Sequence, residues 1–259
     1  MENEMEIGTV VHSVDKAAKL IELLLYAHCP MSLRELAEQS GHPKSTIHAL
    51  LATLRRHAMI DQHSDGKYFL GIRLFECGCA VSSNWDISSV ARPYLEQLAT
   101  ATDATAFISL LDGENVISFD QCSPANGVQV TQGIGQRLSL HATSQGKLML
   151  SLRSDDEIDR ILKKIGMQMF TPHTITDISI LKTELAKIRA NGYAVEDGEY
   201  KIGLRSVSAP VFDHSGTVRY ALGVVGLFRR IQSDEFSRSV AQVVTQAANL
   251  SKAIGYTSS

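Results

Sequence analysis

The chain has 259 residues, 44% of them hydrophobic and 20% charged, with a formal net charge of −3 and a mean hydropathy of −0.02. That length fits two domains of ordinary size, and the composition is that of a folded chain rather than a disordered one. The acidic mean excludes a uniformly basic, histone-like binder but not a local phosphate-binding patch, and no run approaches the ~20 consecutive apolar residues of a membrane-spanning helix.

The first nine residues carry three glutamates and no basic residue, unlike a secretory or transit leader. From Ser13, a plausible N-cap, Val14, Ala17, Ala18, Ile21, Leu24 and Leu25 recur at helical steps until Cys29-Pro30. Ser32-Leu33-Arg34-Glu35 is a capping box that opens a short second helix ending at Gly41. Pro43 suits the first turn of a third helix running to about His57. Ile60–His63 and Lys67–Leu70 flank Ser64-Asp65-Gly66, a hairpin signal. A connecting helix is expected over 72–85 and a further helix after Asp86.

The period then changes. Ala104–Leu111 and Val116–Cys122 read as an antiparallel pair around Asp112-Gly113. Helices follow at 144–152, 155–165 and 177–191, then strands Ser206–Phe212 and Val218–Phe228, and a last helix from Ser233 to Gly255. Strands joined by hairpin turns and mixed with helices predict an α+β fold around an antiparallel sheet. The expected division is 13–71, a winged helix-turn-helix; 72–85, a linker helix; and 86–257, a larger domain.

Two helices with a tight turn and a hairpin are the shape of a winged DNA reader. On the third helix Ile47, Leu50, Leu51 and Leu54 share one face. The opposite face carries Ser45, Ala49, Ala52 and Arg56, flanked by Thr46, His48, Thr53 and Arg55. Small and hydroxyl-bearing side chains allow close approach to a major groove and can bond base edges. Lys67, Tyr68 and His63 on the hairpin suit phosphate contact, and Lys44 to Arg73 holds five basic residues against two acids. A solvated helical domain or a protein-binding module would show the same pattern.

The nine histidines are scattered, with neither an H-E-x-x-H pair nor a G-x-S-x-G elbow, so an enzyme is not expected. Gly146-Lys147 lacks the other residues of a phosphate-binding P-loop, and no cofactor is expected. Cys29, Cys77, Cys79 and Cys122 form no C-x-x-C pair and are read as reduced, buried thiols of a cytosolic protein. His141 to Lys147 reads as a loop entering a helix, whose exposed N–H groups favour a carboxylate. Glu196-Asp197-Gly198-Glu199 places three acids beside a strand, a pattern as common in solvated loops as in sites.

Ser13-Val14-Asp15-Lys16-Ala17, Gly41-His42-Pro43-Lys44-Ser45-Thr46-Ile47-His48 and Gly66-Lys67-Tyr68-Phe69-Leu70-Gly71 resemble the IclR family of bacterial transcriptional regulators. The likeness continues through Leu140-His141-Ala142-Thr143, Gly192-Tyr193-Ala194, Ala209-Pro210-Val211-Phe212 and Ile254-Gly255-Tyr256, and so covers nearly the whole chain. It implies a GAF- or profilin-like effector-binding domain and a homodimer or homotetramer on operator DNA, paired through the first and connecting helices. The implied function is a ligand-responsive regulator, a repressor of a catabolic operon, whose effector is a small organic carboxylate. A sensor acting through a protein partner is the alternative, and a small-carboxylate or lactone enzyme a more remote one.

The family often has arginine where this chain has Ala49, which shifts base reading toward Ser45, Thr46, His48 and DNA shape. For the effector, the resemblance points to Glu196, Asp197 and Ser206, with Ser144 and Gln145 at the helix start. Val128, Val130, Leu138 and Leu140 are the expected apolar walls. Gly223 and Val225 stand where some relatives have serines, which implies a less polar pocket for a larger or partly aromatic acid.

Overall fold

Leu20 and Leu24, one helical turn apart, anchor the first helix, α1 (His12–Ala27). Val14 and Leu25, expected on the same stripe, are exposed, and the helix begins one residue before Ser13, which therefore does not cap it. The computed structural model describes residues 11–27, 29–83, 87–125, 130 and 133–257. They fall into two units that divide between Trp85 and Asp86.

In the first unit, α2 (Leu33–Ser40) is closed at both ends by its own residues. Ser32 and Glu35 form the reciprocal capping box, and Gly41 takes the left-handed conformation at φ 70°. α3 (Lys44–Arg56) follows after Gly41, His42 and Pro43. Ile47 and Leu51 are fully buried against Leu20, Leu36 and Ile60, and Leu54 joins the same core. β1 (Ile60–Gln62) and β2 (Tyr68–Leu70) pair antiparallel, with Gly66 at φ 85° in the turn. Met31 adds a bridge to this hairpin, exchanging both backbone hydrogen bonds with Tyr68. α4 (Ile72–Ser83) continues from the hairpin, and Ile72 and Phe75 on it are exposed.

The second unit opens with α5 (Ile87–Thr102). Its sheet comprises β3 (Thr105–Asp112), β4 (Asn115–Cys122), β5 (Ala194–Asp197), β6 (Arg205–Phe212) and β7 (Val218–Gly226). The strand order is β4-β3-β7-β6-β5, antiparallel throughout. Side chains alternate across a strand, yet neighbours on both faces of β3 and β7 are buried, so both faces of the sheet are covered.

One face carries α6 (Ser144–Ser151), α7 (Asp155–Ile165) and α8 (Ile178–Asn191), whose leucines and isoleucines form one core with Ala194 and Ala221. α5 and α9 (Asp234–Ala253) pack on each other and on the sheet, covering the other face. The capping box Ser154/Glu157 opens α7, and the left-handed Gly192 closes α8. The cysteines depart from expectation: Cys29, Cys77 and Cys79 are exposed and Cys122 is half-buried. Cys77 and Cys79 lie on α4, and Cys29 follows α1 in the connection to α2.

Candidate functional site

Two places in the described residues carry chemistry, one in each unit. In the first, burial of Ile47, Leu51 and Leu54 dictates what α3 shows to solvent. Lys44, Ser45, His48, Ala49, Thr53, Arg55 and Arg56 are exposed and Thr46 is half-buried. Thr53 donates its hydroxyl proton to the Ala49 carbonyl at 3.0 Å, as mid-helix threonines do, so its donor is already engaged. Arg55 donates to Gln62 Oε1 at 2.7 Å, tying the end of α3 to the hairpin. Lys67 is exposed, and His63 stacks on Phe69 with ring centroids 4.1 Å apart.

Tyr68, expected to contact phosphate, is instead a core residue at 6% exposure. Its backbone exchanges two hydrogen bonds with Met31 and it belongs to the core that holds Leu20 and Ile47; a strand residue that faces the core cannot also face solvent.

In the second unit a cleft opens where α6, β5 and β6 meet. Of the residues singled out above, Val130, Leu138, Gln145, Glu196 and Ser206 line it together. Gln136, Thr143, Tyr200, Lys201, Leu204 and Val225 complete its walls. Ser144 sits behind the wall and accepts from Ser206 Oγ at 2.9 Å. Val128 lies outside the described residues.

Two expected members do not belong. Leu140 is buried in the core with Leu148 and Leu150. Asp197 follows Glu196 on β5 and so points the other way, where Arg205 pairs with it at 2.6 Å. Gly223 does not enlarge the cleft either. A Cβ there would fall 2.5 Å from Phe107 Cζ and 2.2 Å from the Val207 carbonyl, so the Phe107 ring already fills the space.

The acidic segment is no solvated loop: Glu196 is 3% and Glu199 6% exposed. Glu196 Oε1 accepts the backbone N–H groups of Glu199 at 2.6 Å and Tyr200 at 3.1 Å, and Oε2 lies 3.2 Å from Ser206 Oγ. Burial raises the carboxyl to about 7 in spite of these donors, and the charge of Glu199 adds to the rise. Glu199 is itself pushed up by burial, against the pull of Lys147, which is 1% exposed and donates to its Oε1 at 2.5 Å.

The loop leading into α6 is held from below. His141 is buried, and burial lowers its basicity; its Nε2–H donates to the Gln168 carbonyl at 2.9 Å. Thr143 caps α6 by accepting the Gly146 N–H at 3.1 Å and donates to the Ser139 carbonyl at 2.7 Å. Gly146 is required here, since a Cβ would meet the Ser139 carbonyl at 2.2 Å. Among the described residues no group of three His, Cys, Asp or Glu could hold a metal ion, and no helix is long and apolar enough to cross a membrane.

Gln136, Tyr200, Lys201 and Leu204 escaped the sequence reading because they sit in irregular segments with no period to read. Thr143 was findable, since a threonine just before a helix is a cap signal.

Comparisons with known proteins cover both units. The family model described as IclR helix-turn-helix domain matches residues 13–64, and that described as bacterial transcriptional regulator IclR C-terminal matches residues 79–252. The chain is 31% identical over 248 residues to the HTH-type transcriptional regulator XynR of Escherichia coli, covering 95% of this chain and 98% of that one. To the transcriptional repressor IclR of the same organism it is 28% identical, over 95% of this chain and 90% of that one. The crystal structure of an IclR transcriptional regulator from Alicyclobacillus acidocaldarius superposes with a TM-score of 0.81 at 29% identity, covering 94% of this chain and 99% of that one.

Proposed function

The chain belongs to the IclR family of bacterial transcriptional regulators, and from that membership we propose that it is an operator-binding repressor released or retained by a small organic carboxylate. The observation that carries the DNA reading is the outer face of α3. Ser45, His48 and Ala49 are exposed on a helix whose opposite side is locked into the core by Ile47, Leu51 and Leu54. Ser45, Thr46 and His48 are assigned to base edges, and Lys44, Arg55, Arg56 and Lys67 to phosphates.

One reader of this size buries little surface, so paired readers on two half-sites are expected, with α1 and α4 joining the subunits. The exposure of Ile72 and Phe75 on α4 favours such pairing. The effector reading rests on the cleft, where buried Glu196 and Ser206 and the first turn of α6 converge. An effector acts through the difference in its affinity for the DNA-competent and DNA-incompetent arrangements, and DNA alters effector affinity by the same factor.

Operator retention is expected to weaken steeply with salt, each neutralised phosphate contributing a slope of about 0.9 in log–log form. Lys67→Ala should lower affinity nearly equally on all sequences and reduce that slope by about one. Ser45→Ala or His48→Ala should change which base pairs are preferred, by about 1–3 kcal/mol per lost base contact. Binding selections on randomised duplexes at two salt concentrations measure all of these. A flat salt response would instead favour a sensor that acts through a protein partner.

A further inference from the structure

The sheet lies under the cleft, and strand pairing sorts its side chains into rows. Residues directly opposite one another on neighbouring antiparallel strands share a face. Thr105, Val225, Ser206 and Glu196 stand opposite one another in turn across β3, β7, β6 and β5, and so form one row. Val225, Ser206 and Glu196 line the cleft, and Thr105 accepts the N–H of Val130, another lining residue, at 3.0 Å. Two positions further along each strand, on the same face, the next row is Phe107, Gly223, Ser208 and Ala194. Gly223 has no side chain and those of Ser208 and Ala194 are small, which would leave a hollow running inward from the cleft. Phe107 closes it. Its ring lies across Gly223, with Cζ 2.5 Å from the point that a Cβ would take, and the residue is 1% exposed.

We propose that Phe107 sets the size of the effector: its ring ends the cleft at the first row, so that the acid bound is acyclic, with about five to seven non-hydrogen atoms. The cleft encloses about 70 Å³. That is room for about five to seven water-sized groups, and about half of the roughly 150 Å³ that holds a benzene ring. The inference rests on the reading of the cleft as the effector site and narrows it. Gly223 and Val225 alone imply a larger or partly aromatic acid, but Phe107 takes the space that Gly223 leaves.

The outer side gives no extra length. Tyr200 and Leu138 stand between the cleft and a neighbouring groove of about 440 Å³ lined by Arg137, His141 and Phe170. Tyr200 is held there at both ends. Its backbone N–H donates to Glu196 Oε1, and its ring centroid lies 4.9 Å from that of Phe170.

Titration calorimetry of the full chain with pyruvate, lactate and butyrate, and with benzoate and phenylacetate, tests this. The wild-type protein should bind at least one acyclic acid about tenfold or more tighter than either aromatic one. Phe107→Leu should tighten benzoate by about 10- to 200-fold. It should leave the acyclic acids nearly unchanged, because the first row and the start of α6 are untouched. Phe107→Met, whose side chain can bend aside, should also admit benzoate, and it serves where Phe107→Leu does not fold. An aromatic acid bound by the wild-type protein as tightly as the acyclic ones overturns the inference, whichever variants fold, and leaves the effector site standing. A folded Phe107→Leu with unchanged preference also overturns it, since the ring then only packs over Gly223. So does benzoate entering Tyr200→Ala but not Phe107→Leu, which would put the limit in the outer wall. Failure of every acid to bind any of these proteins removes the effector-site reading, and the inference falls with it.

Discussion

Lys147→Met is expected to destabilise the larger unit by about 3–5 kcal/mol near pH 8, because it leaves the Glu199 carboxylate buried and unpaired. Lys147 is 1% and Glu199 8% exposed at the side chain, and Glu199 Oε2 already has no hydrogen-bond partner among the described residues, so nothing nearby compensates. The carboxyl can escape the cost only by taking a proton. Its folded pKa is raised by burial and rises further without the lysine. A carboxyl raised on folding lowers stability as pH climbs from its unfolded toward its folded value, so the variant's deficit should be smaller near pH 4.5 than at pH 8.

The double variant Lys147→Met/Glu199→Leu should recover most of the loss, since an apolar pair of similar volume is often as stable as the ion pair it replaces. Urea unfolding at pH 5 and pH 8 measures both. A Lys147→Met midpoint within about 1 kcal/mol of wild type at pH 8 would mean that the pair is solvated and that the buried acidic cluster is misread.

Leu51→Ala should separate the two units. Leu51 is fully buried at the centre of the small core, and truncating such a leucine costs about 2–5 kcal/mol through lost burial and the cavity left behind. A unit of this size has about 3–10 kcal/mol to lose, so the reader should melt at a much lower temperature, with operator binding abolished or weakened to match. The larger unit keeps its own core and cleft, so stabilisation by a bound carboxylate should persist in calorimetry. Equal movement of both transitions would show that the units unfold as one body. Unchanged operator affinity, with the first transition clearly lowered, would take the DNA contact away from α3.

The reader was legible in the sequence because its chemistry lies on one helix. A 100° step per residue converts Ile47, Leu51 and Leu54 into an inner face and Ser45, His48 and Ala49 into an outer one without knowledge of any other segment. The caps at Ser32/Glu35 and Ser154/Glu157 and the Asp65-Gly66 turn are local for the same reason. Tyr68 was misjudged because its partner, Met31, is 37 positions away and no local pattern records that bridge.

For the cleft, residue types and segments could be named beforehand, but not which side of the wall each would occupy. Leu138 lines the cleft while Leu140 enters the core, in an irregular stretch with no repeat to tell them apart. Glu196 turns inward and Asp197 outward because β5 pairs with β6 in one register, which sets Glu196 opposite Ser206. The order and kinds of elements, and the two faces of α3, follow from interactions within a few residues along the chain. The hydrogen-bonded row from position 196 through 206 to 144, and the buried ion pair between 147 and 199, exist only after strand pairing and helix packing bring distant segments together and exclude water from between them.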